Sequence, residues 1–304
     1  MVQVLWQLPS WVAKARVVPT LALLASSLGA ACSVAPVEDG ADADIATTTH
    51  ALITVERSSS ANSVDAPRAA AFAGFVRTPP EVDASAMLKL AGFGLDLPAV
   101  GLCGEPSHDR LSKVPPSQLG RVEFLDAGDV SLRTSNTSTL LATRALPAVT
   151  DLIAGVVYTT RDRAADPLPA STNYTLTTSG GVLGAFNVNA AAPPVLTDVT
   201  IANTPFADLN ALSPRSTLAL SWARGKTGDW VYVELTTHDG SATTRCTFRD
   251  EAGTGSVPAG AFVGSGAGEV SLHRVHSEPF ASGSVDAGEV RFDFEQSANV
   301  EFSD

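Results

Sequence analysis

The chain has 304 residues, 44% of them hydrophobic and 17% charged, so it carries enough apolar material for packed cores and too little charge for a disordered chain. It holds 20 Lys+Arg against 32 Asp+Glu, a formal charge of −12. That balance excludes a phosphate-reading footprint, so nucleic acid is not an expected partner, and it disfavours docking on anionic lipid headgroups.

Up to Ala31 the only charged residues are Lys14 and Arg16, and Val17 to Ala31 is an uncharged run rich in Leu and Ala. Fifteen helical residues at about 1.5 Å rise fall short of a roughly 30 Å hydrocarbon core. A positive start, a short apolar run and small residues form the pattern of a cleaved secretory signal. The run closes on Leu28-Gly29-Ala30-Ala31-Cys32. This resembles the lipobox of bacterial lipoproteins, although Leu28 stands four residues before the cysteine where the family usually has three. The resemblance implies lipid attachment at Cys32. It also implies an exported protein held by an N-terminal lipid anchor at the outer membrane or the periplasmic face of the envelope. Ordinary cleavage near Ala31 is the alternative. From Ser33 onward the charges are 18 against 32, or −14.

Residues 33–50, SVAPVEDGADADIATTTH, are acidic, small and aperiodic, and are expected to form a flexible tether with a reach of roughly 23–25 Å. A calcium loop starting at Asp39 would need a Glu at its twelfth position, where His50 stands. Beyond the tether the signal has period two. Ala51, Ile53 and Val55 alternate with Leu52, Thr54 and Glu56. Val122 and Phe124 precede the turn Asp126-Ala127-Gly128-Asp129, and Val130 and Leu132 follow it. Runs at 155–160, 173–178 and 182–188 predict further strands. Asp83 to Leu90 is the one short helix expected, with Asp83 as its cap. Phe72, Phe75, Phe93 and Phe124 are expected core aromatics.

Pro193-Pro194 is the expected internal boundary, since two prolines suit the start of a domain or an edge strand. Beyond it Leu218, Leu220 and Trp222 share one face, with Ser221 pointing out. Val231, Val233 and Leu235 share another, then Thr244, Cys246 and Phe248, and finally Val290, Phe292 and Phe294. The fold class expected is all-β, with two β-sandwich-like modules after the signal segment (1–32) and tether (33–50): an N-terminal module at 51–193 and a C-terminal one at 194–304. The segments Leu218-Ala219-Leu220-Ser221-Trp222 and Asp229-Trp230-Val231-Tyr232-Val233-Glu234-Leu235 resemble a fibronectin type III or broader immunoglobulin-like domain. That family places a core tryptophan on its second strand and an aromatic-rich third strand after a loop. The resemblance implies binding, spacing or structural roles.

No catalytic, cofactor-binding or metal-binding residue is expected. Ser256 lacks the flanking glycines of a nucleophile elbow. Five histidines are scattered, and His273 and His276, three apart, point to opposite faces of a regular strand. Asp293 and Glu295 share a strand face and are read as a solvated outer surface. Trp222 and Trp230 are both read as core residues, which leaves no aromatic platform for a sugar. Cys103 and Cys246 are expected to be separate buried thiols. The function expected is therefore a non-enzymatic envelope lipoprotein with an envelope protein or glycan as possible partner. The alternative is a secreted hydrolase or carbohydrate-binding protein with its site in loops of the N-terminal module.

Overall fold

The computed structural model describes residues 47–61, 65–80, 82–90, 93–106, 122–145, 153–160, 164–165 and 168–303. The expected signal segment, Cys32 and most of the expected tether lie outside the described residues. The first elements are β1 (Thr48–Ser60), β2 (Arg68–Thr78), α1 (Ala84–Leu90), β3 (Cys103–Gly104) and β4 (Val122–Phe124). Next come β5 (Val130–Arg133), β6 (Ser138–Ala145), β7 (Ile153–Thr159), β8 (Ala164–Ala165), β9 (Asn173–Thr178) and β10 (Asn187–Ala191). Then follow β11 (Thr200–Ile201), β12 (Thr204–Pro205), β13 (Ala211–Leu212), β14 (Leu218–Ser221), β15 (Trp230–Thr237), β16 (Thr243–Arg249) and β17 (Thr254–Val257). Two long strands, β18 (Gly266–Ser282) and β19 (Val285–Phe302), end the chain. The described residues are nearly all β, with the short helix α1 and two single 3-10 turns at Phe206–Asp208 and Asp250–Ala252.

The large sheet runs β10-β9-β5-β6-β7-β4-β2-β1-β19-β18-β15-β16-β3, and a small one runs β12-β11-β14-β17. The β18–β19 hairpin is the spine, because its alternation is long enough to feed both ends of the molecule. Towards one end Val290, Phe292 and Phe294 join Ile53, Val55 and Phe75 in a core that the curling sheet closes with Val130, Leu132, Tyr174 and Leu176. Towards the other end Val270, Leu272, Ala298, Val300 and Phe302 pack with Val231, Val233 and Leu235 against Leu218, Leu220 and Val257 of the small sheet. That second core is a two-layer sandwich.

The chain before Pro193 and the chain after it are stitched together. β1 pairs in parallel along β19, from His50 opposite Ala287 to Ser60 opposite Ser297. Severing the chain at Pro193 would strip β19 of that partner and uncover Phe292 and Phe294. Every described strand and core residue lies within Thr48–Phe302, all of which a chain starting at Ser33 retains.

Between the two cores the same face of the spine carries buried charge. The Arg274 Nε lies 2.6 Å from Asp250 Oδ2, with both side chains almost wholly out of water. The Arg274 Nη1 donates to the carbonyls of Pro194 and Val195, each at 3.2 Å, and Nη2 donates to Ala223 O at 2.6 Å. Asp250 Oδ1 accepts from Arg274 Nη2 at 3.0 Å, from the Trp222 indole at 2.9 Å and from the Gly225 amide at 3.2 Å. Nearby, His276 Nδ1 sits 2.6 Å from Asp229 Oδ1 and Nε2 sits 3.1 Å from Glu278 Oε1. Glu278 Oε1 also accepts from the Ala191 amide at 3.3 Å, which draws β10 to the spine.

Local expectations meet the structure unevenly. Asp83 caps α1, accepting the Ser85 amide at 2.9 Å, and Phe75, Phe93 and Phe124 are buried. β1 begins at Thr48, three residues inside the expected tether, and both of its faces are covered over Ala51–Val55. The strand expected at 182–188 is a loop. Leu183 there donates to Asp126 O at 3.0 Å and fills the core, and pairing starts only at Asn187. The expectation of separate thiols is overturned, because Cys103 and Cys246 form a disulfide. They stand directly opposite each other on β3 and β16 with Cα atoms 4.0 Å apart, a pairing that register decides and spacing does not reveal.

Trp222 is buried in the second core, as expected, whereas Ser221 is half-buried and shares a 2.8 Å hydrogen bond with the Thr200 hydroxyl. Trp222→Ala should therefore cost about 3–5 kcal/mol, by emptying an aromatic site and removing a donor from Asp250. Ser221→Ala should cost about 1 kcal/mol for one hydroxyl pair. Denaturant unfolding of the Ser33–Asp304 chain measures both, and equal small losses would place Trp222 outside the core.

Candidate functional site

The pleat sends the residues between the core positions to the opposite, outer face of the large sheet. There β15 contributes Trp230, Tyr232 and Glu234, β18 contributes Ser271 and His273, and β19 contributes Arg291, Asp293 and Glu295. Register places Tyr232 beside His273 and His273 beside Glu295. The Tyr232 and His273 rings stack at 4.1 Å between centroids, and the Arg245 guanidinium lies 5.9 Å from the Tyr232 ring centre. His273 Nδ1 is 2.8 Å from Asp293 Oδ1, and the Tyr232 hydroxyl donates to Asp293 Oδ2 at 3.0 Å. Arg245 pairs with Glu234 and donates to Asp96 O at 3.2 Å.

Tyr232, His273, Asp293, Glu295 and Arg245 line one wall of a polar cavity of about 240 Å³, closed by Glu56 and Arg68. Asp293 is thus no freely solvated residue: it holds a histidine and a tyrosine, and its side chain is 17% exposed. Burial alone would push His273 down, but the Asp293 carboxylate outweighs it and raises the imidazole above its ordinary value. Burial, then the Asp293 charge, drives the Tyr232 hydroxyl well above its ordinary value, so it stays protonated as a donor. For His276 the Asp229 hydrogen bond raises the imidazole, burial opposes it, and Glu278 adds to the rise. Both ring nitrogens of His276 face carboxylates, an arrangement that only the doubly protonated ring satisfies. His273 and His276 do lie on opposite faces. Among the described residues no group of three or more His, Cys, Asp or Glu is placed to hold a metal ion.

The Ser271 Oγ is 3.0 Å from His273 Nε2, which completes a serine–histidine–aspartate line that motif reading missed. Only the order of β18 and β19 in the sheet brings the three together. Ser271 is buried, 4% exposed, and does not line the cavity. A nucleophile must reach its substrate, and this hydroxyl is covered by its neighbours on the outer face.

Trp230 corrects a second expectation, since it is 38% exposed and not a core residue. It separates two grooves on the outer face, one of about 450 Å³ with His50, Lys89 and Arg291 and one of about 340 Å³ with Leu97 and Val100. The loop forming the second groove is held by the disulfide, by Gly101 N donating to Thr247 O at 2.7 Å, and by Lys89–Asp96 at 3.4 Å.

No family model and no curated protein matches the chain. Among solved structures it is similar to a two-domain fibronectin type III segment of chicken tenascin, at 9% identity and TM-score 0.20, over 54% of this chain and 81% of that one. It is also similar to the FN1–FN3 domains of chicken CNTN1, at 14% identity and TM-score 0.19, over 55% of each chain. The Fcho1 Mu homology domain of Danio rerio, solved with a bound Eps15 peptide, gives 8% identity and TM-score 0.27, over 84% of this chain and 97% of that one. None of these likenesses bears on function.

The raised imidazoles fix the sign of a pH dependence. A histidine whose folded value is raised contributes stability that is full below the unfolded value near 6.5 and is lost as pH rises through the folded value. The melting temperature should fall between pH 6 and pH 8, and His276→Gln should flatten that fall. A wild-type curve as flat as the variant's would contradict the charged state argued for His276.

Proposed function

We propose that the chain is an exported, lipid-anchored protein of the cell envelope that binds a partner and carries out no chemistry on it. The observation that carries this reading is the Cys103–Cys246 disulfide. Such bridges persist in oxidising compartments and are rare where glutathione keeps thiols reduced. The bridge therefore supports export, which the apolar run before Cys32 also supports. It also builds the binding face, because it fastens the loop that rims the outer side of the large sheet. That side combines a polar cavity with charges of both signs and an exposed tryptophan flanked by grooves. In this reading Cys32 carries the lipid, residues 33–46 tether the fold, and the β scaffold presents its outer face.

Radiolabelled palmitate should enter the wild-type chain and not Cys32→Ala. Equal labelling of the two would end the anchor claim.

A hydrolase is the second reading, favoured by the Ser271–His273–Asp293 line. Burial of Ser271 weighs against it, and a donor set for a developing oxyanion would have to face the same hydroxyl. A fluorophosphonate probe, which labels activated serines, should leave the native protein unmodified. Labelling that disappears in Ser271→Ala would replace binding with hydrolysis as the function.

A further inference from the structure

On the outer face, beside the polar cavity, three large apolar side chains are exposed near one another in the chain's loop-and-strand rim. Leu102 is 59% exposed, Val100 is 42% exposed and Trp230 is 38% exposed, and Val100 and Trp230 line the same groove with Leu97. Val100 and Leu102 project from the loop that the disulfide fixes to β16, so the area is held in place. Exposed apolar groups gathered in this way mark an interaction surface. Its basic neighbours are already matched, Lys89 with Asp96 at 3.4 Å and Arg291 with Glu289 at 2.8 Å. The area therefore offers aliphatic and aromatic surface with balanced charge around it.

We propose that this area rests on the interface of a zwitterionic phospholipid bilayer, the one in which the chain is anchored. The proposal rests on the lipid-anchor reading above. Chain geometry supports the choice of occupant. Cys32 precedes Thr47, the first described residue, by fifteen positions, and His50 already lines the groove that Trp230 borders. The first described residues thus enter the fold beside the apolar area, and in the lipid-anchor reading only fifteen positions separate them from the lipidated cysteine. Tethering makes the contact intramolecular, so a weak interfacial affinity suffices to hold an orientation. Tryptophan suits the headgroup boundary, where an apolar ring and a polar N–H are both accommodated. The net charge of −12 argues against anionic lipid as the surface. A glycan is the weaker occupant. Sugar hydroxyls need free polar partners beside the ring, whereas Lys89 and Arg291 are already engaged and Leu102 and Val100 offer none.

The test uses the Ser33–Asp304 chain, which lacks both signal and lipid, floated with phosphatidylcholine vesicles. Binding should be measurable. It should weaken about tenfold or more in Leu102→Ser with Trp230→Ser, the loss expected for withdrawing two large apolar groups, and recover with Trp230→Phe. Both sites are exposed, and an unchanged melting temperature confirms that the variants fold. Vesicle binding that is absent, or equal in the variant and the wild type, would overturn the proposal. Retention on an envelope glycan panel that depends on Trp230, without vesicle binding, would overturn it in favour of a sugar. Palmitate labelling of the full chain is read separately, so loss of the anchor reading and loss of the bilayer contact give different results.

Discussion

The buried pair Arg274–Asp250 is the interaction on which the rest of the architecture depends. Taking a guanidinium and a carboxylate out of water is costly, and the attraction between them offsets that cost only when the remaining donors and acceptors are also satisfied. Here Arg274 spends its donors on Asp250 and on the carbonyls of Pro194, Val195 and Ala223, while Asp250 accepts from Trp222 and Gly225. Three stretches of chain distant in sequence are fixed to one point of the spine. Removing either partner would strand a buried charge, whereas replacing both with apolar side chains could spare the energy and would still lose the directional bonds. The segment after Pro193 is thus held to β18 by hydrogen bonds from a single guanidinium. This is why the two cores meet across a polar waist without merging into one.

His276 continues that waist, and the two histidines show how one strand serves two chemistries. On the inner face His276 bridges Asp229 and Glu278 as a structural cation. Three residues away, on the outer face, His273 stacks under Tyr232 and leans on Asp293 beside an open cavity. The outer network is ordered before any partner arrives, since each polar atom of the Tyr232–His273–Asp293 set has a neighbour at 2.8–3.0 Å. Preordering of this kind favours recognition, because few side chains have to be immobilised on binding. It suits nucleophilic chemistry less well here, because the Ser271 hydroxyl is buried against His273 and does not reach the cavity.

The sequence made strand faces legible wherever one side is buried. Val290, Phe292 and Phe294 alternate with Arg291, Asp293 and Glu295, and the structure puts the first set in a core. Leu218, Leu220 and Trp222 behave in the same way, and so does the cap at Asp83. Pairing between distant strands was not legible, because period-two patterning fixes a strand's face and not its neighbour. The parallel match of β1 with β19 joins residues some 237 positions apart, as in the bond from Thr49 N to Asp286. The disulfide and the Ser271–His273–Asp293 line follow from the same kind of long-range register. Trp230 was misread because it opens a strand whose next residues are core. Its own parity puts it on the outer face, in step with Tyr232, so the signal was present in the alternation itself.

The outer face owes its shape to a loop that has little reason to stay in place unaided. β3 has only two residues, too few for a ladder to hold a segment against its conformational entropy. A covalent bridge closing 143 residues of separation restricts the unfolded chain by roughly 5 kcal/mol in the chain-entropy account. Its structural effect in the folded state is local. It fastens the loop at Cys103 against β16, so that the Arg245–Asp96 carbonyl bond and the Lys89–Asp96 pair can close the far end. The bridge also belongs to the second core, where Cys246 is buried and Cys103 packs against it, while α1 and Phe93 pack with Leu52, Val76 and Phe124 in a third cluster beside the loop. Loop, helix α1 and the exposed end of β15 then form one surface whose polar half is anchored by ion pairs and whose apolar half is anchored by sulfur. The fold can therefore hold Val100, Leu102 and Trp230 in solvent here, because the bridge that fixes their loop is itself rooted in the second core.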